Sequence, residues 1–347
     1  MQHKKKVTAI VVNWNGREFL PTCLSSLFNQ TYEELEVIVV DCASKDGSVF
    51  FIKSNYPLAK VIELKKDLGP PYAINLACQK AQGEYILILN NDVYLPPDLT
   101  TKMVREIKRD EYSVINPLQL KTDGSWVGAG YSIPLFGVNR LIKIKGEYPF
   151  YPCTACCLTT KKMLTDNPLN ERFFLYEDAE WGWRLKLKKI KCRVVADGYF
   201  LHENAGTIGF GSPRQVRYAT FSYIATRYIC FKNSTLLASS PLFLLVLLKN
   251  FSRSWLKGAK IGWSFLGGIC SFLKRTNEFS KYRRKIQVER SIKSDIQIIK
   301  EMIASHDFEI NFKKNWQKDH QKILEEKIKR DLKNFTGFLQ TAKKPEE

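Results

Sequence analysis

Residues 85–92 read YILILNND. Five apolar or aromatic side chains in succession leave no polar face, so a strand here is covered on both sides, as in the interior of a parallel sheet. The run then ends on three hydrogen-bonding side chains, Asn90, Asn91 and Asp92. Upstream, VTAIVV (7–12), VIVVD (37–41) and KVIEL (60–64) have the same character, and segments with helical spacing such as PTCLSSLFNQ (21–30) and PYAINLACQKA (71–81) lie among them. That alternation belongs to an α/β fold, with a mostly parallel sheet flanked by helices. In open sheets of this kind ligands bind beyond the carboxyl ends of the strands. The polar residues that end or follow these runs are therefore the first site candidates: Asn13, Asn15, Asp41, Asp67, Asn90, Asn91 and Asp92.

The chain has 347 residues, 44% hydrophobic content and formal net charge +19, enough apolar material for a sizeable core and too much for a disordered chain. MQHKKKVTAIVV has a basic start but a short apolar run and no small-residue cleavage site, so it reads as a first strand, with a cytoplasmic location expected. Nine cysteines without a paired framework fit reduced, buried thiols. Cys153, Cys156 and Cys157 lack the second CxxC or HxxxH pair that a structural zinc site needs. No GxGxxG follows the first strand and no GxxxxGK[ST] occurs, which argues against a dinucleotide oxidoreductase and a P-loop NTPase. From about Glu111 to Pro149 turn signals multiply, and irregular structure or small hairpins are expected.

FFLYEDAEWGWRLK (173–186) sets Glu177, Asp178 and Glu180 directly after bulky apolar residues. Arg184 follows Glu180 by four positions, the spacing of a helical ion pair. Glu177 and Asp178 stand where a helix would begin and negative charge is favoured, so capping explains them as well as chemistry does. Tyr176, Trp181 and Trp183 either wall a ligand site or pack beneath the sheet. Asn90 and Asp92, alternate residues leaving a strand, can reach toward one hard cation, Mg²⁺ or Mn²⁺, that bridges a diphosphate; the same triplet also makes an ordinary turn. Asp41 could accept from a ribose or base, or cap the SKDGS turn. His202 could complete a metal site from another loop, or be structural.

Between Lys249 and Arg290 eleven Lys or Arg residues face two acids, Glu278 and Glu289. The apolar part of SPLFLLVLLKNF is too short to span a bilayer. At 100° per residue Lys249, Arg253, Lys257 and Lys260 share one face, while Leu248, Phe251, Trp255, Ala259 and Leu266 share another. Residues 248–266 thus read as one amphipathic helix, either lying on an anionic membrane surface or packed on the rest of the protein.

Five ordered pieces carry a family likeness: VVNWNGREFLPTCLSSLFNQTY, VIVVDCASKDGS, DLGPPYAIN leading to LNND, YPCTACCLTTKKML before FFLYEDAEWGWRLK, and HENAG followed by RYATFSYIATRYICFKN. From residue 7 to about 232 the chain resembles the family 2 glycosyltransferases of GT-A fold, in their rhamnosyltransferase-like branch. The resemblance implies a nucleoside diphosphate sugar donor, Mg²⁺ or Mn²⁺, and transfer with inversion. It places Asn13 and Asp41 at the nucleoside, Gly69 and Asn75 near the donor, Asp92 with Asn90 at the metal motif, and His202 at the cation or diphosphate. Asp178 becomes the base, with Glu177 beside it to orient the site or bind the acceptor. Two departures stand out: Pro70 and Pro71 follow Asp67 where the family has a run of small residues, and Asn90 replaces the first acid of the metal motif. The organisation expected is a GT-A catalytic domain over 1–232 and, from its composition and amphipathic stretch, a helical, basic region over 233–347 that either associates with a membrane or packs on the catalytic domain. The expected partners are a glycan or lipid-linked acceptor of cell-surface polysaccharide synthesis and, on the membrane reading, the cytoplasmic face of an anionic membrane, without nucleic acid. A sugar nucleotidyltransferase would use a similar sheet but is expected to carry a Gly-rich basic loop where this chain has NWNGREFL. A basic binding protein without catalysis has no need of Asp41, Asp92, Asp178 and His202 together.

Overall fold

The computed structural model of the protein describes residues 5–122, 126–128, 131–132, 140–141, 152–203, 209, 211–291 and 294–297. The first half alternates as the sequence implied: β1 (Val7–Asn13), α1 (Leu20–Phe28), β2 (Leu35–Asp41), α2 (Ser48–Asn55), β3 (Lys60–Glu63), α3 (Pro70–Lys80) and β4 (Tyr85–Asn90). β5 (Val93–Tyr94), α4 (Leu99–Ile107), β6 (Val114–Leu120), β7 (Trp126–Gly128), β8 (Tyr131–Ser132) and β9 (Arg140–Leu141) follow, then β10 (Cys156–Thr160), α5 (Lys161–Asp166), α6 (Glu177–Leu187) and β11 (Cys192–His202). Helices close the described chain: α7 (Pro213–Cys230), α8 (Asn233–Ala238), α9 (Ser240–Leu256), α10 (Ala259–Lys274) and α11 (Thr276–Glu289).

Among the described residues the main sheet has the order β3-β2-β1-β4-β10-β6-β11-β5, with β7 on β6, while β8 and β9 form a separate pair. β1 to β4 run parallel, and β10 enters antiparallel between β4 and β6. The order reverses direction between β1 and β4, the place where such sheets leave a crevice beyond their carboxyl ends. Strand pleating sends alternate residues to opposite cores. On β4, Tyr85, Leu87 and Leu89 pack with α1 and α4, and Ile86 and Ile88 with α3, α5 and α6. Cys156 and Cys157, adjacent on β10, part in the same way, one to each core. They are therefore core hydrophobes and no zinc cluster, and burial pushes both thiols up.

Two expectations need correction. Irregular structure or small hairpins were expected after Glu111, and β6 with β7 and β8 with β9 do form small antiparallel pairs, but β6 is itself a buried, seven-residue strand of the main sheet. Asn116 and Pro117 read as a turn, but β10 pairs only with Val114 and Ile115, so it has left β6 before the proline whose missing N–H would interrupt a ladder. Asn116 serves instead as a strut, donating to the carbonyls of Cys153 at 3.2 Å and Cys156 at 3.0 Å. The single helix over 248–266 is two helices: Gly258, at φ +124, breaks it in a conformation that other residues rarely adopt. One apolar cluster has members on both sides of residue 232. Phe272 of α10 with Phe279 and Ile286 of α11 share one apolar cluster with Trp183 and Leu187 of α6 and Phe221 and Ala225 of α7. Gly268 lets α10 lie directly on α7, since a Cβ there would stand 2.6 Å from the Arg217 carbonyl oxygen.

α6 is consequently apolar on both sides. Trp181 and Leu185 face the sheet, while Trp183 and Leu187 face α7 and α11. Both tryptophans are buried, and Trp181 donates to the Asn167 carbonyl at 2.7 Å, so they support the helix and do not wall a ligand site. Glu180 and Arg184 make the ion pair expected of them at 2.8 Å, buried in the same helix.

Candidate active site

A cleft of about 290 Å³ opens beyond the carboxyl ends of β1 and β4. Asp67, Asn90, Asn91, Asp92, Glu177, Asp178 and His202 line it, together with Trp14, Thr154, Tyr176 and Gln215. These residues come from seven separated stretches of chain. Of the other sequence candidates, Asn13 and Asp41 lie behind the wall, Asn15 and Gly69 shape adjoining loops, and Asn75 faces elsewhere.

The wall is built on Asn13, which is fully buried. Its Nδ2 donates to Asp41 Oδ2 at 2.8 Å, and its Oδ1 accepts from Asn91 Nδ2 at 2.8 Å. Asp41 Oδ1 accepts the backbone N–H of Ser44 at 2.9 Å. The ends of β1, β2 and β4 are thereby joined by one chain of side-chain bonds in which each buried group has a partner. Asn15, in the left-handed region at φ 47, accepts from the Lys45 N–H at 2.8 Å and closes the two loops on each other. Gly16 leaves the room for this: a Cβ there would stand 1.8 Å from Asn91 Nδ2.

On the next side, Asp67 accepts from the Gly69 N–H at 3.0 Å and from Arg214 Nη2 at 3.2 Å. Gly69 takes φ +86 at the start of α3, beneath the Phe174 ring. Arg214 also lies over the Trp14 ring, 4.5 Å from its centroid, and thus ties α7 to the rim. Asn75 does not reach the cleft. Its amide bonds both backbone groups of Leu169 and the Glu171 carboxylate, because α3 turns that face toward the loop before α6.

Asp92 and His202 meet because β5 pairs antiparallel with β11, His202 opposite Val93. Asp92 Oδ1 is 3.0 Å from His202 Nε2 yet buried without a hydrogen bond, and Asn90 Nδ2 lies 3.5 Å from the same nitrogen. Gln119 Nε2 is 2.8 Å from His202 Nδ1. Rotating that amide puts its oxygen toward Nδ1, and the ring then presents its Nε2 lone pair toward Asp92. A buried carboxylate oxygen lacking a donor, beside an imidazole nitrogen, is a donor pair that fits a divalent cation. Among the described residues no group of three His, Cys, Asp or Glu side chains could hold a metal alone, so further ligands would come from a bound molecule.

The third wall is the start of α6. Tyr176 adopts φ 60, ψ 28, a strained conformation for a residue of this size, and its hydroxyl accepts from Gln215 Nε2 at 3.1 Å. The sharp turn delivers Glu177 and Asp178 into the cleft. Glu177 Oε1 accepts from Thr154 Oγ1 at 3.2 Å, and Asp178 Oδ1 from the Ala179 N–H at 2.8 Å. Burial raises the Glu177 carboxyl to about 6. Asp178 reaches the cleft surface, but it lies deep in the protein, and burial followed by the neighbouring Glu177 charge raises it well above the usual carboxylate range. A carboxylate of raised basicity in a cleft suits a general base.

Residues 8–166 match the model for Glycosyl transferase family 2. That match takes in a little under half of the chain, and over it the protein is similar to that family. It is 30% identical over 146 residues to chondroitin synthase of Pasteurella multocida (strain Pm70), a match covering 39% of this chain and 14% of that protein. It is 25% identical over 213 residues to the glycosyltransferase GlyG of Streptococcus pneumoniae serotype 4, covering 56% of this chain and 70% of the other. Among solved structures it resembles GalNAc-T7 with UDP, GalNAc and Mn²⁺, at 15% identity and TM-score 0.54 over 66% of this chain and 48% of the other. It also resembles the mannosyltransferase PcManGT from Pyrobaculum calidifontis, solved with GDP-Man and Mn²⁺, at 14% identity and TM-score 0.52 over 92% and 89% of the two chains. At that identity the likeness is one of fold, GT-A, and it takes in the C-terminal helices.

Gly16, Thr154, Gln119 and Gln215 escaped the sequence reading. A signal existed for Gln215: Ser212, Pro213 and Gln215 spell a helix start, and Ser212 Oγ accepts the Gln215 N–H at 3.2 Å. For Gly16 the cause is a contact with Asn91, remote in sequence.

Gly16→Ala is expected to displace Asn91 and weaken nucleotide binding about tenfold or more; titration with UDP and GDP, beside the melting temperature, reads it. The carboxyl pair gives a second test. Because the folded protein holds a Glu177 proton that the unfolded chain releases at about 4.5, this group's contribution to stability falls as pH rises from about 4.5 to about 6. Glu177→Gln keeps an acceptor for Thr154, so its stability advantage over the parent should open across that window and level off above it. The plateau is on the order of 1–2 kcal/mol, at about 1.4 kcal/mol per tenfold change in proton affinity. Parallel denaturation curves at every pH would show that Glu177 is not desolvated.

Proposed function

We propose that the protein is an inverting glycosyltransferase that moves a sugar from a nucleoside diphosphate to an acceptor hydroxyl, with Asp178 as the general base. The observation that supports this most is the meeting, in one cleft, of an oxygen and imidazole pair suited to a diphosphate-bound cation with a carboxylate of raised basicity on the facing wall. Asn13 and Asp41 hold the strand ends against which the nucleoside lies, with Trp14 and Asp67 on the rim. Asp92 and His202 would hold Mg²⁺ or Mn²⁺, which when bound neutralises the charge of the leaving diphosphate. The solved relatives with Mn²⁺ beside UDP or GDP-Man support that cofactor class, and their two different nucleotides leave the donor base open.

In the transfer step the acceptor oxygen attacks the anomeric carbon from the side opposite the phosphate. Its proton passes to an oxygen of Asp178 as the new C–O bond forms, and the electron pair of the breaking bond leaves on the nucleoside diphosphate. Glu177, held by Thr154, orients the acceptor and, when ionised, raises the basicity of Asp178. Tyr176, locked in its turn by Gln215, fixes where that base points. The relatives named for chondroitin and hyaluronan synthesis favour a growing glycan or lipid-linked saccharide as acceptor. A cytoplasmic site of action is part of the same proposal.

Asp178→Asn keeps size and an acceptor for the Ala179 N–H but removes the basicity. The variant is expected to fold, bind nucleotide as the parent does and transfer sugar ~10²- to 10⁴-fold more slowly. Transfer at near the parental rate by a folded variant would move the role to Glu177.

A further inference from the structure

We propose that the α9–α10 hairpin is a docking surface for an anionic lipid bilayer, an inference that stands apart from the transfer reaction. Inside the hairpin the two helices pack on each other. Phe251 of α9 meets Phe265 of α10 at 6.2 Å, Trp255 meets Trp263 at 5.6 Å, and Gly262 lies under the Trp255 ring, where a Cβ would stand 2.5 Å from it. The outer side has no such cover among the described residues: Leu248 is 60% exposed, Trp263 65% and Leu256 86%, with Leu244 and Leu245 also exposed. At 100° per residue, Leu244, Leu248, Leu245 and Leu256 occupy one arc of α9, and Lys249, Arg253 and Lys257 occupy the arc beside it. Apolar and basic strips side by side on a helix surface suit a water–lipid interface. No helix of the described residues is long and apolar enough to cross a membrane, so the hairpin would lie on the bilayer.

Charge decides between a bilayer and a second copy of the chain. No acidic residue occurs between Glu203 and Glu278, a stretch with ten Lys or Arg residues. A symmetric dimer through this face would bring its cations against their own copies without a compensating acid, whereas anionic headgroups neutralise them. The hairpin is also tied to the cleft. α10 packs on α7 at Gly268 and through Arg217 Nη2, which donates to Ser271 Oγ at 3.1 Å, and Gln215 of α7 lines the cleft two residues earlier. On the transfer reading, docking would hold the cleft near a membrane-borne acceptor.

The test is sedimentation of the full chain with vesicles of phosphatidylglycerol and phosphatidylcholine, against phosphatidylcholine alone, at low and high salt. Binding is expected only to the anionic vesicles and should weaken steeply with salt. Leu245→Ser and Leu248→Ser should each lower partitioning roughly tenfold, as loss of a buried leucine implies. Lys249→Gln with Arg253→Gln should abolish the preference for anionic lipid. All four positions are exposed, so melting temperature and nucleotide binding should match the parent. Absence of anionic-vesicle binding at low salt by the folded protein, or binding that ignores both sets of variants, would overturn the proposal. So would dimerisation lost in the leucine variants without vesicle binding. None of these readouts depends on turnover, so a failed transferase reading and a failed docking surface remain distinguishable.

Discussion

The cleft takes its shape from the Asn13 side-chain amide, which accepts from Asn91 on one side and donates to Asp41 on the other, holding three strand ends at one height. A parallel sheet brings these ends together but leaves the loops beyond them to find partners. Buried amide and carboxylate groups left unpaired would be costly, and a fully paired chain of them rigidifies the place where it sits. Gly16 is part of that joint through the absence of a side chain. Everything that faces the cleft from β1, β2 and β4 is positioned relative to it.

The opposite wall has a harder task, because two adjacent carboxyl groups, Glu177 buried and Asp178 at the cleft surface, repel each other. α6 can carry them because it is clamped on both faces, by Trp181 against the sheet and by Trp183 against α7 and α11. Glu180 and Arg184 hold the same helix from within, where Arg184 also donates to the Pro168 carbonyl at 2.7 Å. Of the C-terminal helices, α10 and α11 therefore contribute to the candidate site without lining the cleft, whereas α7 lines it through Gln215. They complete the clamp that lets Tyr176 stay in its strained turn and Asp178 remain basic.

The sequence makes the parts governed by local pattern legible. Continuous apolar runs marked β1, β2 and β4, their polar ends marked Asn13, Asp41 and Asn90 to Asp92, and the four-residue spacing marked the Glu180–Arg184 pair. What depended on remote contacts was not legible. Pro117 looks like a turn until β10 is known to leave β6 before it, and Asn75 looks like a ligand residue until the 169–171 loop is found against it. The single helix over 248–266 followed from extending one periodicity across Gly258, although a glycine after a lysine-ended helix is itself a stop signal. Trp181 and Trp183 were ambiguous between wall and core because a helix apolar on both sides has no periodicity from which to choose.

The central claim is that Asp178 takes a proton from an acceptor attacking opposite the leaving diphosphate, in a single displacement. The most direct test is the anomeric configuration of the product, read by proton NMR with any nucleoside diphosphate sugar the protein turns over. A product of opposite anomeric configuration to the donor is expected. A product that retains the donor's configuration would contradict the single displacement, and with it the role given to Asp178.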